Sequence, residues 1–225
     1  MNRDLISKII GLTRHANLLG RLQNELRGDI FDLERSFKEM IQRHWSYIML
    51  HHSLTKDGTT VSWQAIRRWH MGLIGSGNKN NPDYNPYLEK PMKDIAYHFG
   101  IELVGSPIIG NKELLKARPP QDAREIFEGG HEVLIGRPLD QEGAHCAAQG
   151  MNQKALGICF IGNFDESPVP EAQWQKGIVL VKSLINLLDI PVSFIMGHRD
   201  YAPKSCPGKL FDMEKFRQEV AWINT

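Results

Sequence analysis

Short apolar runs that read as strands alternate with amphipathic helical stretches from Trp45 to the C-terminal end, which restricts the fold to a sheet covered by helices. The strand candidates are Trp45 to His51, Ile95 to Phe99 (within Lys93 to Val104), Glu132 to Gly136, Ala155 to Ile161 and Val192 to Met196. Ser62 to His70 reads as a helix capped by Ser62, Glu171 to Leu188 as a long amphipathic helix behind Pro168 and Pro170, and Phe211 to Ile223 as a closing helix. The expected class is α/β (mixed α+β), with a central mixed sheet flanked by helices. Loops rich in Gly, Asn and Pro, from Gly75 to Pro91 and from Gly105 to Pro120, are expected at the surface, where they can line a groove.

Ahead of this pattern, Leu19, Leu22, Leu26, Ile30, Leu33, Phe37, Met40 and Ile41 recur mostly three and four residues apart. Gly28 can end one helix and Asp29 can cap the next, with Asp32 in its first turn. Residues 1–44 are expected to be a helical N-terminal extension that packs on the main domain, on a partner or on a second copy, with a targeting or regulatory arm as the competing reading, and 45–225 the main domain. The stretch of about 105–129 reads as an insertion.

A formal net charge of +1 lacks the strongly basic footprint of a nucleic-acid-binding protein. No apolar run is long enough to cross a bilayer, so no membrane insertion is expected. Asp4 and Lys8 interrupt the apolar residues of the first ten positions and no small-residue cleavage site follows; no signal peptide is expected, and the chain reads as cytoplasmic on synthesis. Its three cysteines, Cys146, Cys159 and Cys206, do not form a disulfide framework. Cys159 sits in a run that reads as a buried strand, whereas Cys206 sits in a polar loop beside Pro207 and Gly208, an unusual place for a core thiol.

His198 and Cys206 lie eight residues apart, directly after the last strand candidate. With a third ligand from Leu50-His51-His52-Ser53 they can hold one metal ion and leave a position open for water or substrate, as catalytic zinc sites do. Two imidazoles and a thiolate suit Zn2+, which lowers the pKa of bound water to roughly 7 and polarises a carbonyl. Strand alternation puts Tyr47, Met49 and His51 on one side and Ile48, Leu50 and His52 on the other, so one of the two histidines points into such a site; His51 is the chosen ligand and His52 supports it or lines it. Lys204, two residues before Cys206, can bring an ammonium to the metal, and Tyr97 can offer a phenol. Taken alone, a loop lysine is more often solvated and a strand tyrosine more often packing. His145, in Gly143-Ala144-His145-Cys146, can line a substrate cleft; His15, His44, His70 and His131 read as surface or structural residues.

Six stretches in this order carry a resemblance: Leu50-His51-His52-Ser53, Ala65-Ile66-Arg67-Arg68-Trp69-His70, Ala96-Tyr97-His98-Phe99, Gly143-Ala144-His145-Cys146, Gly157-Ile158-Cys159-Phe160-Ile161-Gly162-Asn163-Phe164, and Gly197-His198-Arg199-Asp200 through Cys206-Pro207. From about Tyr47 to about Ala221 the chain resembles the type 2 N-acetylmuramoyl-L-alanine amidases, which include phage amidase lysozymes and peptidoglycan recognition proteins. The resemblance implies one zinc ion on His51, His198 and Cys206, catalytic roles for Tyr97 and Lys204, and zinc in a surface groove of the mixed sheet. It also implies a muropeptide substrate, cut between N-acetylmuramic acid and the L-alanine of the stem peptide, in the manner of an endolysin released to the wall or of a cytoplasmic wall-recycling enzyme. The helical extension and the 105–129 insertion depart from the compact family pattern.

Two other readings compete. A recognition module binds wall fragments without cutting them, but such relatives lack a complete ligand set. A thiol hydrolase would use Cys206 as nucleophile and His198 as base, and leaves His51 without a part. His198-Arg199-Asp200 also matches part of a kinase catalytic loop, but no Gly-rich phosphate loop precedes it and no Asp-Phe-Gly follows.

Overall fold

The computed structural model describes residues 43–55, 62–103 and 131–222. The expected helical extension lies outside these residues except at its last two positions. Any self-association through it and the expected 105–129 insertion lie outside them altogether.

Five strands form one mixed sheet: β1 (Tyr47–His52), β2 (Phe99–Leu103), β3 (His131–Ile135), β4 (Ala155–Phe160) and β5 (Ile195–Gly197), in spatial order β3-β2-β4-β1-β5. Strand β1 runs parallel to β4 and β5, β2 runs parallel to β4, and only β3 is antiparallel to its neighbour. All six residues of β4 are buried, as are five of the six in β1. Near-continuous apolar strands of this kind belong to parallel strands covered on both faces.

The covers are α1 (Trp63–His70) and α3 (Glu171–Leu188). Cys159 packs in one cluster with Trp63 and Ile66 of α1, while the next residue, Phe160, turns to the other face. There α3 comes so close that a Cβ on Gly177 would stand 2.3 Å from the Phe160 ring. Phe160, Phe164, Phe211, Phe216 and Trp174 make edge-on and tilted ring contacts between α3 and α4 (Met213–Trp222). A short α2 (Met151–Lys154) leads into β4. No helix among the described residues is long and apolar enough to cross a membrane.

Most of the expected elements are present within a residue or two. The Ser62 cap is as expected, its Oγ accepting the Ala65 N–H, and α3 has the expected bounds. Three boundaries differ. The strand expected at Ile95 to Phe99 begins only at Phe99. Ile95, Ala96 and His98 are buried, and Tyr97 partly so, for a different reason: Ile95 and Tyr97 pack into the cluster under α1, and backbone groups of Ala96, Tyr97 and His98 bond to Ala144, Arg137, Gly157 and Gly136 outside a regular ladder. The run Val192 to Met196 starts as a 3-10 turn over Val192–Phe194, where Phe194 N–H returns to the Pro191 carbonyl, so β5 is Ile195–Gly197. Helix α4 starts at Met213 instead of Phe211 because Asp212 caps it, accepting the Lys215 N–H on its carboxylate.

Candidate metal centre

The parallel strands β1 and β5 deliver their carboxyl ends to one place, the usual position for a site on an open sheet. Leu50 pairs with Gly197, so the residues that follow them, His51 near the end of β1 and His198 just past β5, emerge side by side. Their ring centroids are 4.7 Å apart. Cys206 arrives from the following loop, and its Sγ stands 3.6 Å from His51 Nδ1. Ligand atoms of His51, His198 and Cys206 all lie within 4.8 Å of one another, and the three residues are buried.

The loop is held from two sides. Asp165, just past β4, accepts hydrogen bonds from Ser205 Oγ at 2.6 Å and from the Lys209 N–H at 2.8 Å. The Ser205 bond is the main reason its carboxyl is held below the usual range. Arg199 spans the other side: its backbone N–H donates to the Cys206 carbonyl at 2.7 Å, and its guanidinium donates to the carbonyls of Gly208 and Phe211. The Cys206–Pro207 peptide is cis. Asp165 and Arg199 were not among the expected site residues. A carboxylate directly after the Gly162-Asn163-Phe164 turn, at the carboxyl end of a buried strand, was the available signal for the first.

Burial sets the electrostatics. His51 is pushed well below 6.5 chiefly by desolvation and further by its histidine neighbours, and His198 falls to about 4 from desolvation and then the Lys204 charge. Both are therefore neutral imidazoles with free lone pairs at neutral pH. Desolvation pushes the Cys206 thiol up to about 12. A cation in the cluster reverses that last effect, because a metal drives off the proton of a coordinating thiol. The donor set fits such an ion. Nitrogen and sulfur ligands of one tetrahedral ion stand about 3.3–3.7 Å apart, and the His51–Cys206 pair already does.

The cluster opens into a cavity of about 530 Å³ lined by His51, Tyr97, His145, His198, Lys204 and Cys206. Ser53, His70, Tyr87 and Tyr97 also line a neighbouring cleft of about 730 Å³, whose far wall is Ile66, Trp69, Ile74 and Pro82, so part of the Gly75 to Pro91 loop does line a groove. Lys204 is exposed at the cavity edge. Tyr97 has its ring 5.1 Å from that of His51. Desolvation raises its pKa, which keeps the phenol protonated.

The remaining histidines divide clearly. His52 points away from the cluster and accepts the Phe164 N–H on Nδ1. His145 is buried against His51, its Nδ1 3.0 Å from His51 Nε2 and its Nε2 3.1 Å from the Ala155 carbonyl. His70, expected to be a surface or structural residue, is buried and accepts the Ala96 N–H on Nδ1 while lining both clefts.

Comparison with known proteins adds a separate finding. A family model described as N-acetylmuramoyl-L-alanine amidase matches residues 35–209. The endolysin of Enterobacteria phage K11 is 26% identical over 183 residues, covering 80% of this chain and 86% of the phage protein. The Klebsiella phage KP32 endolysin is 27% identical over 176 residues, 76% of this chain and 84% of that protein. Among solved structures, the N-acetylmuramoyl-L-alanine amidase LysC of Clostridium intestinale superposes with a TM-score of 0.52 at 21% identity, covering 80% of this chain and 87% of that one, a likeness of fold.

Proposed function

The chain belongs to the N-acetylmuramoyl-L-alanine amidase family, and from that membership we propose a zinc-dependent peptidoglycan amidase whose catalytic unit is residues 45–225. The scissile bond is the amide between the lactyl group of N-acetylmuramic acid and the L-alanine of the stem peptide. One observation carries the reading: ligand atoms of two neutral imidazoles and a thiol converge within 4.8 Å in a buried cluster at the floor of an open cavity.

His51, His198 and Cys206 would hold the ion, which when bound supplies a Lewis acid that polarises the amide carbonyl and brings the pKa of a water towards 7. The protein's own groups do the rest. Lys204 is an exposed residue of the cavity lining, and its ammonium would stabilise the oxyanion that forms from the lactyl carbonyl. Tyr97 lines the same cavity with a phenol held in its protonated form, which would orient the attacking water and manage protons. The adjoining cleft, apolar along Ile66, Trp69 and Ile74, offers room for the stem peptide. His52 supports the site through the Phe164 backbone. The presence of all five residues in one cavity favours an enzyme over a recognition module that binds without cutting. By similarity to the phage endolysins, the protein acts on the cell wall.

Zinc content measured on purified protein tests this directly. One ion per chain, lost together with amidase activity on chelation and regained with zinc, is the expected result; full activity in metal-free protein would refute it.

A further inference from the structure

The structure assigns His145 as a positioning residue that fixes the tautomer of His51, so that the lone pair of His51 Nδ1 faces Cys206. The inference rests on the zinc reading above and deepens it.

The argument begins at a carbonyl. The Ala155 oxygen can only accept, and His145 Nε2 lies 3.1 Å from it, so that nitrogen carries the hydrogen. The buried His145 ring faces a carbonyl and another imidazole, neither of which balances a charge, so it is neutral. Its Nδ1 is then a bare acceptor, and it stands 3.0 Å from His51 Nε2. That contact is a hydrogen bond only if His51 Nε2 donates. His51, buried likewise, carries that single hydrogen, so its Nδ1 has none, and this is the atom 3.6 Å from Cys206 Sγ. One backbone carbonyl thus dictates, through two imidazoles, which nitrogen of His51 is free to bind a metal. Orientation of ligating imidazoles through their second nitrogen commonly changes metal affinity about 10- to 100-fold.

The His145 ring has no freedom to do otherwise. A Cβ added to Gly143 or to Gly157 would stand 2.4 Å from His145 Cδ2, so two glycine backbones clamp the ring. This accounts for both glycines, and for a histidine whose buried ring has both nitrogens bonded to protein groups.

The test compares His145→Asn with His145→Leu in the full chain. Asparagine keeps an acceptor near the Nδ1 position; leucine leaves the His51 N–H unpaired. Zinc affinity, measured by competition with a chromophoric chelator, should fall about 10- to 100-fold in the leucine variant and much less in the asparagine variant. Equal losses in both, or no loss in the leucine variant, would overturn the assignment. Nitrogen NMR of the wild-type metal-free protein reads the tautomers without any substitution, and so decides the matter even if a variant fails to fold. Hydrogen on Nε2 of both rings supports the relay, and hydrogen on Nδ1 of His51 refutes it. Wild-type protein that shows these tautomers but binds no zinc would instead refute the zinc reading.

Discussion

His51 Nδ1 stands 3.6 Å from the sulfur of Cys206, a residue 155 positions further along the chain. Only the pairing of β1 between β4 and β5, together with the loop anchored by Asp165 and Arg199, brings the two together. Cys206→Ser should therefore leave the fold intact, lower zinc affinity and reduce amidase turnover by about 100-fold or more, since a hydroxyl is a far poorer ligand than a thiolate. Metal content and turnover measured on the same preparation check this.

Tyr97 and Lys204 line the cavity but are not in the ligand cluster. Tyr97→Phe and Lys204→Met should each lower kcat about 100- to 1000-fold while zinc content stays at the wild-type level. Loss of zinc in either variant would show a structural role instead.

A methyl group at Gly157 would meet the His145 ring at 2.4 Å, with Gly157 fixed in register opposite Met49 in the centre of the sheet. Gly157→Ala should destabilise the protein by about 1–3 kcal/mol through overpacking and weaken zinc binding as well. Denaturant unfolding together with a zinc titration checks both.

His70 and His98 predict an acid-sensitive fold. Each accepts a backbone N–H on Nδ1, from Ala96 and Gly157 respectively, and desolvation lowers each pKa to about 4. The folded state therefore takes up these protons less readily than the unfolded chain. The stability they contribute is complete above pH 6.5 and is lost as pH falls towards about 4. Within that window the pair should give a slope approaching about 2.7 kcal/mol per pH unit. Denaturant unfolding of metal-free protein across pH 4–7 measures it, and replacing either histidine by asparagine should flatten the curve.

Much of this was legible in the sequence, for physical reasons. The three residues of the candidate metal cluster could be read because a thiol in a polar loop next to Pro207-Gly208, a histidine at a strand end and a second histidine on an alternating strand are each poorly explained by packing. The strands β1 and β4 could be read because burial on both faces makes them continuously apolar. Residues 95–98 misled because burial under α1 imitates strand alternation. The position of Asp165 after the Gly162-Asn163-Phe164 turn was a signal, but its bonds to Ser205 and Lys209 and the His145 contact were not legible, since each depends on which loops meet in space. In His145 the residue type marked an interesting histidine, but its partner, His51, is 94 positions away.

Mass spectrometry of peptidoglycan digested by the purified protein, with and without a zinc chelator, tests the central claim most directly. The account predicts stem peptides with a free L-alanine amino terminus and intact glycan strands, formed only when zinc is present. New reducing sugar ends, or the same stem peptides at an undiminished rate after zinc is removed, would contradict it.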